Sequence, residues 1–366
     1  MTRGAVHVIA STLLMAIAAV PPSHPASIRL ETVTYPGDSA TFVATLACPD
    51  RPGRVPAVVL LHGSEPGRRD GEPARRLRER LVPQGIAVLS FDKRGVGGSS
   101  GRYQEMPDLQ EAAGDGLAAV RFLVSRPEID TTRIGVLGAS QGGWVGPLMA
   151  ALSPRIAFVV CVSGAGVTPG DQSRFEDGAR LLEAGMDSSA VAEADSLRGA
   201  LYAYWEGGAD ADSARALWRA ALARPWFDAA LRDDSLFSRL GRIESPPSPG
   251  VMPREFIELL RRWRYDPVAT AERVRIPVLH VYGEGDRHVP VAESVHRLKP
   301  AYERAGNRDV TFIVFPHAGH GLQIVAGDAE CLQCPPDTRS APTFAPGAWE
   351  RIDRWVIEHT RMGSGK

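Results

Sequence analysis

Ile134-Gly135-Val136-Leu137-Gly138-Ala139-Ser140-Gln141-Gly142-Gly143 decides how the rest of this chain is read. An apolar run of strand character enters a glycine-rich turn, and a helical pattern over residues 144–152 follows at once. So abrupt a strand-to-helix turn holds its central residue in strained backbone geometry and lifts the Ser140 Oγ out of the sheet. Gly138 and Gly142 stand two residues before and two after, where a Cβ would collide with the neighbouring strand and helix. Ser140 is therefore the candidate nucleophile. An ordinary strand-to-helix turn is the bland reading, and only partners elsewhere in the chain can displace it.

Outward from this turn the same rhythm repeats. Apolar runs at 58–61, 86–91, 157–162, 278–282 and 310–315 each precede a turn and a helical pattern. Continuous apolar runs suit parallel strands covered on both faces, and the alternation with helices predicts an α/β sheet. Residues 108–125 show the helical spacing in Leu109, Ala112, Ala113, Leu117 and Val120. Ahead of the series, residues 31–47 alternate polar and apolar around Pro36-Gly37-Asp38, which predicts an antiparallel hairpin at the sheet edge. Residues 168–266 break the rhythm: 177–185, 189–206, 212–223 and 254–264 read as helices with no strand among them. The expected organisation is a core over 28–167 and 267–366, interrupted by a helical lid or cap over 168–266.

A serine hydroxyl needs a base, and the base needs a carboxylate to fix its tautomer. His320 lies in His317-Ala318-Gly319-His320-Gly321, directly after the last apolar run, with His317 as its rival. Asp286 closes Gly283-Glu284-Gly285-Asp286 after the preceding run, with Glu284 nearby. The order Ser140, Asp286, His320 is the one expected for such a sheet. Acyl transfer also requires two N–H donors for the developing oxyanion. The backbone amide of Gln141 is one candidate. The other comes from His62-Gly63-Ser64-Glu65, with Ser64 chosen and Glu65 competing.

Composition narrows the classes. The formal net charge is -1, so nothing points to nucleic acid. Three lysines stand among 42 basic residues, so arginine-rich stretches such as Arg75, Arg76, Arg78 and Arg80 read as a solvated helix face. Arg3, the apolar residues 5–20 and the small residues after Pro21-Pro22 predict a signal peptide over 1–27, and hence export to the periplasm or medium without stable membrane insertion. Cys331 and Cys334 could pair in an oxidising compartment, but a lone C-x-x-C cannot complete a zinc site. Cys161, in an apolar run, reads as a small buried hydrophobe. No cofactor or metal is expected.

As a set, His62-Gly63-Ser64, Asp92-Lys93-Arg94-Gly95-Val96-Gly97-Gly98-Ser99, the Ser140 turn, residues 283–290 and Gly319-His320-Gly321 resemble the bacterial α/β-hydrolases of the carboxylesterase type, near the dienelactone-hydrolase and prolyl-oligopeptidase catalytic domains. The resemblance runs from about residue 31 to 360. It implies a mostly parallel sheet of about eight strands, with Ser140 as nucleophile, Asp286 as acid, His320 as base, and the amides of Ser64 and Gln141 as oxyanion donors. It gives Arg68-Arg69-Asp70 and residues 92–95 a structural part. The chain departs from the pattern at Glu65, where such esterases usually carry Gly; its carboxylate is expected to point away from the oxyanion. It departs again in the long Pro-rich stretch 326–347 with its two cysteines. A small-molecule ester is the expected substrate, with Trp205, Trp218, Trp226, Phe227 and Trp263 either lining an acyl pocket or packing the lid. A peptidase or amidase, a thioesterase, and a non-catalytic binding protein of the same fold are the alternatives. The stretch before residue 58 is too short for the β-propeller with which prolyl oligopeptidases filter peptides.

Overall fold

The computed structural model describes residues 27–206, 211–231, 237, 240–241, 244–248, 254–325 and 343–361. The signal peptide expected over 1–27, apart from Ser27, and the Cys331/Cys334 stretch lie outside the described residues.

Eight strands form one sheet: β1 Ile28–Pro36, β2 Thr41–Pro49, β3 Val55–Leu61, β4 Ala87–Phe91, β5 Ile129–Ala139, β6 Val159–Val162, β7 Val278–Gly283 and β8 Val310–Phe315. Their spatial order is β1-β2-β4-β3-β5-β6-β7-β8. β1, β2 and β4 pair antiparallel, and every pair from β4 to β8 is parallel. The hairpin and the mostly parallel sheet are those the sequence predicts. β5 begins at Ile129, before its apolar run at 134. The polar Asp130-Thr131-Thr132-Arg133 is absorbed by a register shift against β3, between Val55 and Ala57.

All of β3 is buried, and its side chains divide with period two. Ala57, Val59 and Leu61 join one apolar cluster, Val58 and Leu60 the other. Helices α2 Leu109–Val124 and α3 Gly142–Leu152 cover the first face. Helix α1 Glu72–Leu81 covers the second through Ala74, Leu77 and Leu81, with the last described helix, Ala348–Arg361, beside it. Burial on both faces is what allows the strands to be uniformly apolar.

Between β6 and β7 the described residues are helical: α4 Pro169–Glu183, α5 Ser188–Trp205, α6 Ala211–Ala221, α7 Pro225–Ala230 and α8 Arg254–Arg262. They share an apolar cluster of their own, around Leu201, Trp218, Phe227 and Phe237. α4 starts eight residues before the periodicity suggests. Thr168 Oγ1 accepts from the Asp171 amide at 3.1 Å and Pro169 occupies the first turn, so the cap, not the apolar stripe, sets the start.

Under the carboxyl end of β7, His280 is buried between Tyr302, whose hydroxyl is 3.0 Å from Nε2, and Tyr282, 3.3 Å from Nδ1. Burial pushes this imidazole down to about 3, so it is neutral in the fold. The unfolded chain takes up that proton near pH 6.5, so stability is full above pH 6.5 and declines as pH falls towards 3. The loss is expected to approach a few kcal/mol, on the order of 1.4 per pH unit. Urea unfolding between pH 8 and 4 should show it, and His280→Gln should flatten that slope.

Candidate active site

The sheet brings the candidate residues to one place by ending its central strands there. Ser140 follows β5, Ser163 follows β6, Asp286 lies just past β7, and His320 lies past β8. Carboxyl ends of parallel strands form the crevice where such sheets hold their ligands.

Ser140 has φ of 52°, a left-handed conformation rare for a residue with a Cβ. Its amide bonds the Val162 carbonyl at 2.8 Å and its carbonyl accepts from Gly143 at 2.7 Å. The glycines are required as the sequence suggests. A Cβ at Gly138 would lie 2.1 Å from the Gly142 carbonyl oxygen, and one at Gly142 2.9 Å from that of Leu61. Gly143 in turn meets Gly164 at the end of β6, where its Cβ would lie 2.4 Å from Cα.

Asp286 is buried, with its carboxylate aimed by backbone donors. The amides of His288 and Val289 reach Oδ1 at 2.8 and 3.0 Å, and Oδ2 stands 2.8 Å from His320 Nδ1. A carboxylate only accepts, so Nδ1 carries the proton and proton exchange with a hydroxyl falls to Nε2. Glu284 is exposed. His317 is exposed too, in a left-handed conformation on the outer side of the loop.

The base loop is braced on several sides. Ala318 and Gln323 form isolated bridges to Ile324 and Phe344. The Gly285 amide bonds the Ala318 carbonyl at 2.8 Å, and a Cβ at Gly283 would come within 2.3 Å of that oxygen. Ser163 donates its hydroxyl to the His320 carbonyl at 2.6 Å. His288 adds a tie to the helical segment: its ring packs 4.8 Å from that of His320, and its Nδ1 lies 3.2 Å from Glu176 of α4. Burial raises the Glu176 carboxyl, but His288 and Arg180 bring it below the usual carboxylate value. Sequence reasoning gave Ser163 and His288 no part in the site; His288 lies within the 283–290 motif, but nothing there sets it apart from a loop polar residue.

Ser140 and His320 line one cavity of about 570 Å³, with Leu60, Gly63, Ser64, Glu65, Glu105, Gln172, Glu176, His288, Phe344 and Trp349 among its other walls. Among the described residues, neither the Ser64 amide nor the Gln141 amide donates to another part of the chain. His62 is not a second base. Burial lowers its imidazole, and Nε2 donates to the Phe91 carbonyl at 2.6 Å. Asp92 holds the neighbouring loop, accepting from the Arg69 and Gly98 amides at 2.8 Å each.

One expectation is corrected. Glu65 does not point away. Its carboxylate folds back over Gly63, where a Cβ would lie 2.4 Å from Oε2 and 3.5 Å from Ser140 Cβ. Glycine leaves that space open, and the attraction of Lys93 favours filling it. Of the two readings of the helical segment's aromatics, acyl pocket or lid packing, the structure shows packing. Trp205, Trp218, Trp226 and Phe227 are buried in the helical segment's own cluster and Trp263 packs against it. The cavity's aromatic walls are Phe344 and Trp349.

A family described as serine aminopeptidase, S33, matches this chain over residues 54–324. The esterase EstD of Thermotoga maritima is 26% identical over 327 residues, spanning 86% of this chain and 65% of that one. The quorum-quenching protein AidA of Acinetobacter baumannii is 31% identical over 128 residues, 35% of this chain and 41% of its own. The chain thus matches less than two thirds of either relative's length. Among solved structures, DcsB in complex with a substrate analogue superposes with a TM-score of 0.54 at 18% identity, covering 92% of this chain and all of that one. Est1E of Butyrivibrio proteoclasticus, with ferulic acid bound, gives 0.51 at 17%, covering 91% and 100%. These two likenesses are of fold.

Proposed function

The chain belongs to the serine aminopeptidase S33 family of α/β-hydrolases and is a hydrolase, and from that premise we propose that it cleaves carboxylic esters of small molecules through an acyl-enzyme on Ser140. The observation that carries this is the Asp286–His320 contact of 2.8 Å, which orients the imidazole of a cavity that Ser140 and His320 line together.

His320 takes the Ser140 hydroxyl proton through Nε2 as the oxygen attacks the ester carbonyl. Asp286 stabilises the imidazolium so formed, and the amides of Ser64 and Gln141 receive the oxyanion. His320 then gives its proton to the leaving alkoxide. In the second half it takes a proton from water as the water oxygen attacks the acyl carbonyl, and returns that proton to the departing Ser140 Oγ, which restores the free hydroxyl and the neutral imidazole. Ester rather than amide cleavage draws on the esterase EstD, whose likeness spans most of this chain. Export is part of the proposal and rests on the apolar residues 5–20.

Reaction with a fluorophosphonate, followed by peptide mapping, is expected to place the label on Ser140; a label elsewhere overturns the nucleophile. p-Nitrophenyl esters of graded chain length should then turn over faster than aminoacyl p-nitroanilides. The reverse order would make the chain an amidase, the activity that the family's description names.

A further inference from the structure

Behind the two amides assigned to the oxyanion stands one half-buried ammonium. Lys93, in the loop after β4, has its Nζ 2.7 Å from the Gly63 carbonyl, 3.2 Å from the Ser64 carbonyl and 3.0 Å from Gln141 Oε1. An ammonium has three N–H groups, and here all three are directed at two short segments. Those segments are the ones that carry the proposed oxyanion donors.

The geometry points to Lys93 as a positioning residue for both oxyanion donors: its ammonium holds the Gly63–Ser64 peptide and the Gln141 side chain so that both amides face the reacting carbonyl. The inference rests on the acyl-transfer reading above. In a planar trans peptide the C=O and the following N–H point in opposite directions. Drawing the Gly63 oxygen back to Nζ therefore turns the Ser64 N–H towards the cavity. Without that tie the loop's glycine would let the peptide rotate. The same cation clasps the side chain of Gln141, whose own amide is the second donor.

The clasp is itself held. The Lys93 amide bonds the Gly67 carbonyl at 2.9 Å, and the adjacent Asp92 carboxylate is fixed by Arg69 and Gly98. Gln141 Nε2 donates to the Glu105 carbonyl at 2.8 Å, which fixes the side-chain amide with its oxygen towards Lys93. Tyr103 donates to the Ser64 carbonyl at 2.6 Å and presents its ring 5.5 Å from Nζ. A positive charge at the back of the donor peptide also opposes the carboxylate of Glu65 in front of it. That explains how Glu65 is tolerated beside a developing negative charge.

Burial pushes the Lys93 ammonium down to about 8, against the attraction of Glu65 and Glu105. His62 and Tyr103 are the other titratable groups beside it, the first neutral and the second raised by burial. The clasp is thus complete below pH 8, and above it one of three donors and the charge are lost.

The test is kinetic, with p-nitrophenyl acetate and wild type, Lys93→Met and Lys93→Arg. Wild-type kcat is expected to fall as pH rises through about 8. Lys93→Met should lower kcat about 30-fold at pH 7 with KM within threefold, and its residual rate should be flat from pH 7.5 to 9.5. Lys93→Arg, charged throughout, should recover part of the rate and lack the alkaline decline. Unchanged kcat in Lys93→Met, or an alkaline decline that persists in it, overturns the proposal. A wild-type rate that does not fall near pH 8 overturns it as well, and needs no variant to fold. Ser140→Ala run alongside separates the two ideas: full activity there sinks the acyl-enzyme reading, whereas an inactive Ser140→Ala with an indifferent Lys93→Met sinks only the clasp.

Discussion

Exchanging Asp286 for asparagine is expected to lower kcat on the order of 10⁴-fold while KM moves by no more than a few-fold. The side chains are nearly the same size, so the fold has little to lose. The chemistry has much to lose. Both carboxylate oxygens are in use: Oδ1 by the amides of His288 and Val289, Oδ2 by His320 Nδ1. The amides accept nothing, so they keep the one remaining oxygen of an asparagine. Its NH₂ then faces the imidazole and donates, which moves the ring proton to Nε2. In that tautomer Nε2 cannot take a proton from Ser140. The imidazolium also loses its counter-charge. Steady-state kinetics and the rate of fluorophosphonate labelling should fall together, with circular dichroism unchanged. A decline of less than tenfold would mean that some other group orients His320.

The placement of Ser140, Asp286 and His320 was legible because each of these candidate residues sits directly after an apolar run. In a parallel sheet, position in the sequence after a strand is position in space at its carboxyl end. The glycines of the turn were legible for the same reason, since backbone crossings at strand ends exclude a Cβ whatever the neighbours are. Lys93 was legible only as part of residues 92–95, to which the resemblance gives a structural part. Which groups its ammonium holds depends on two loops from other strands that fold over it. Glu65 was misread because the space it fills is made by the missing side chain of Gly63 and the charge of Lys93, neither of which its own neighbours reveal. The tryptophans of the helical segment were open to two readings, and packing is the one the structure takes. Large aromatics suggest a pocket, but a helical segment with its own core consumes them first, and Trp218 is completely buried. The early start of α4 was written in Thr168-Pro169, a capping signal outweighed by the absence of an apolar stripe in its first two turns.

Ser140 tests whether the turn trades stability for reactivity. Replacing it by alanine or by glycine is expected to lower kcat on the order of 10⁵-fold or more, since either removes the atom proposed to form the acyl bond. Their stabilities should differ. At φ 52° any residue with a Cβ is strained by roughly 1–2 kcal/mol, a cost that serine and alanine share and glycine escapes. Glycine gives back part of that relief through the larger entropy of its unfolded chain, about 0.5–1 kcal/mol. The net expectation is that Ser140→Gly is more stable than both Ser140→Ala and wild type by roughly 0.5–1 kcal/mol, or a Tm about 1–3 °C higher for a domain of this size. Calorimetry on the three proteins measures it directly. Equal Tm for glycine and alanine would mean that the surrounding backbone relaxes and the turn stores no strain. Appreciable activity in either variant would move the nucleophile elsewhere. The predicted pairing of lost activity with gained stability follows only if one conformation does both things: it costs the fold energy and it holds the hydroxyl where an imidazole can reach it.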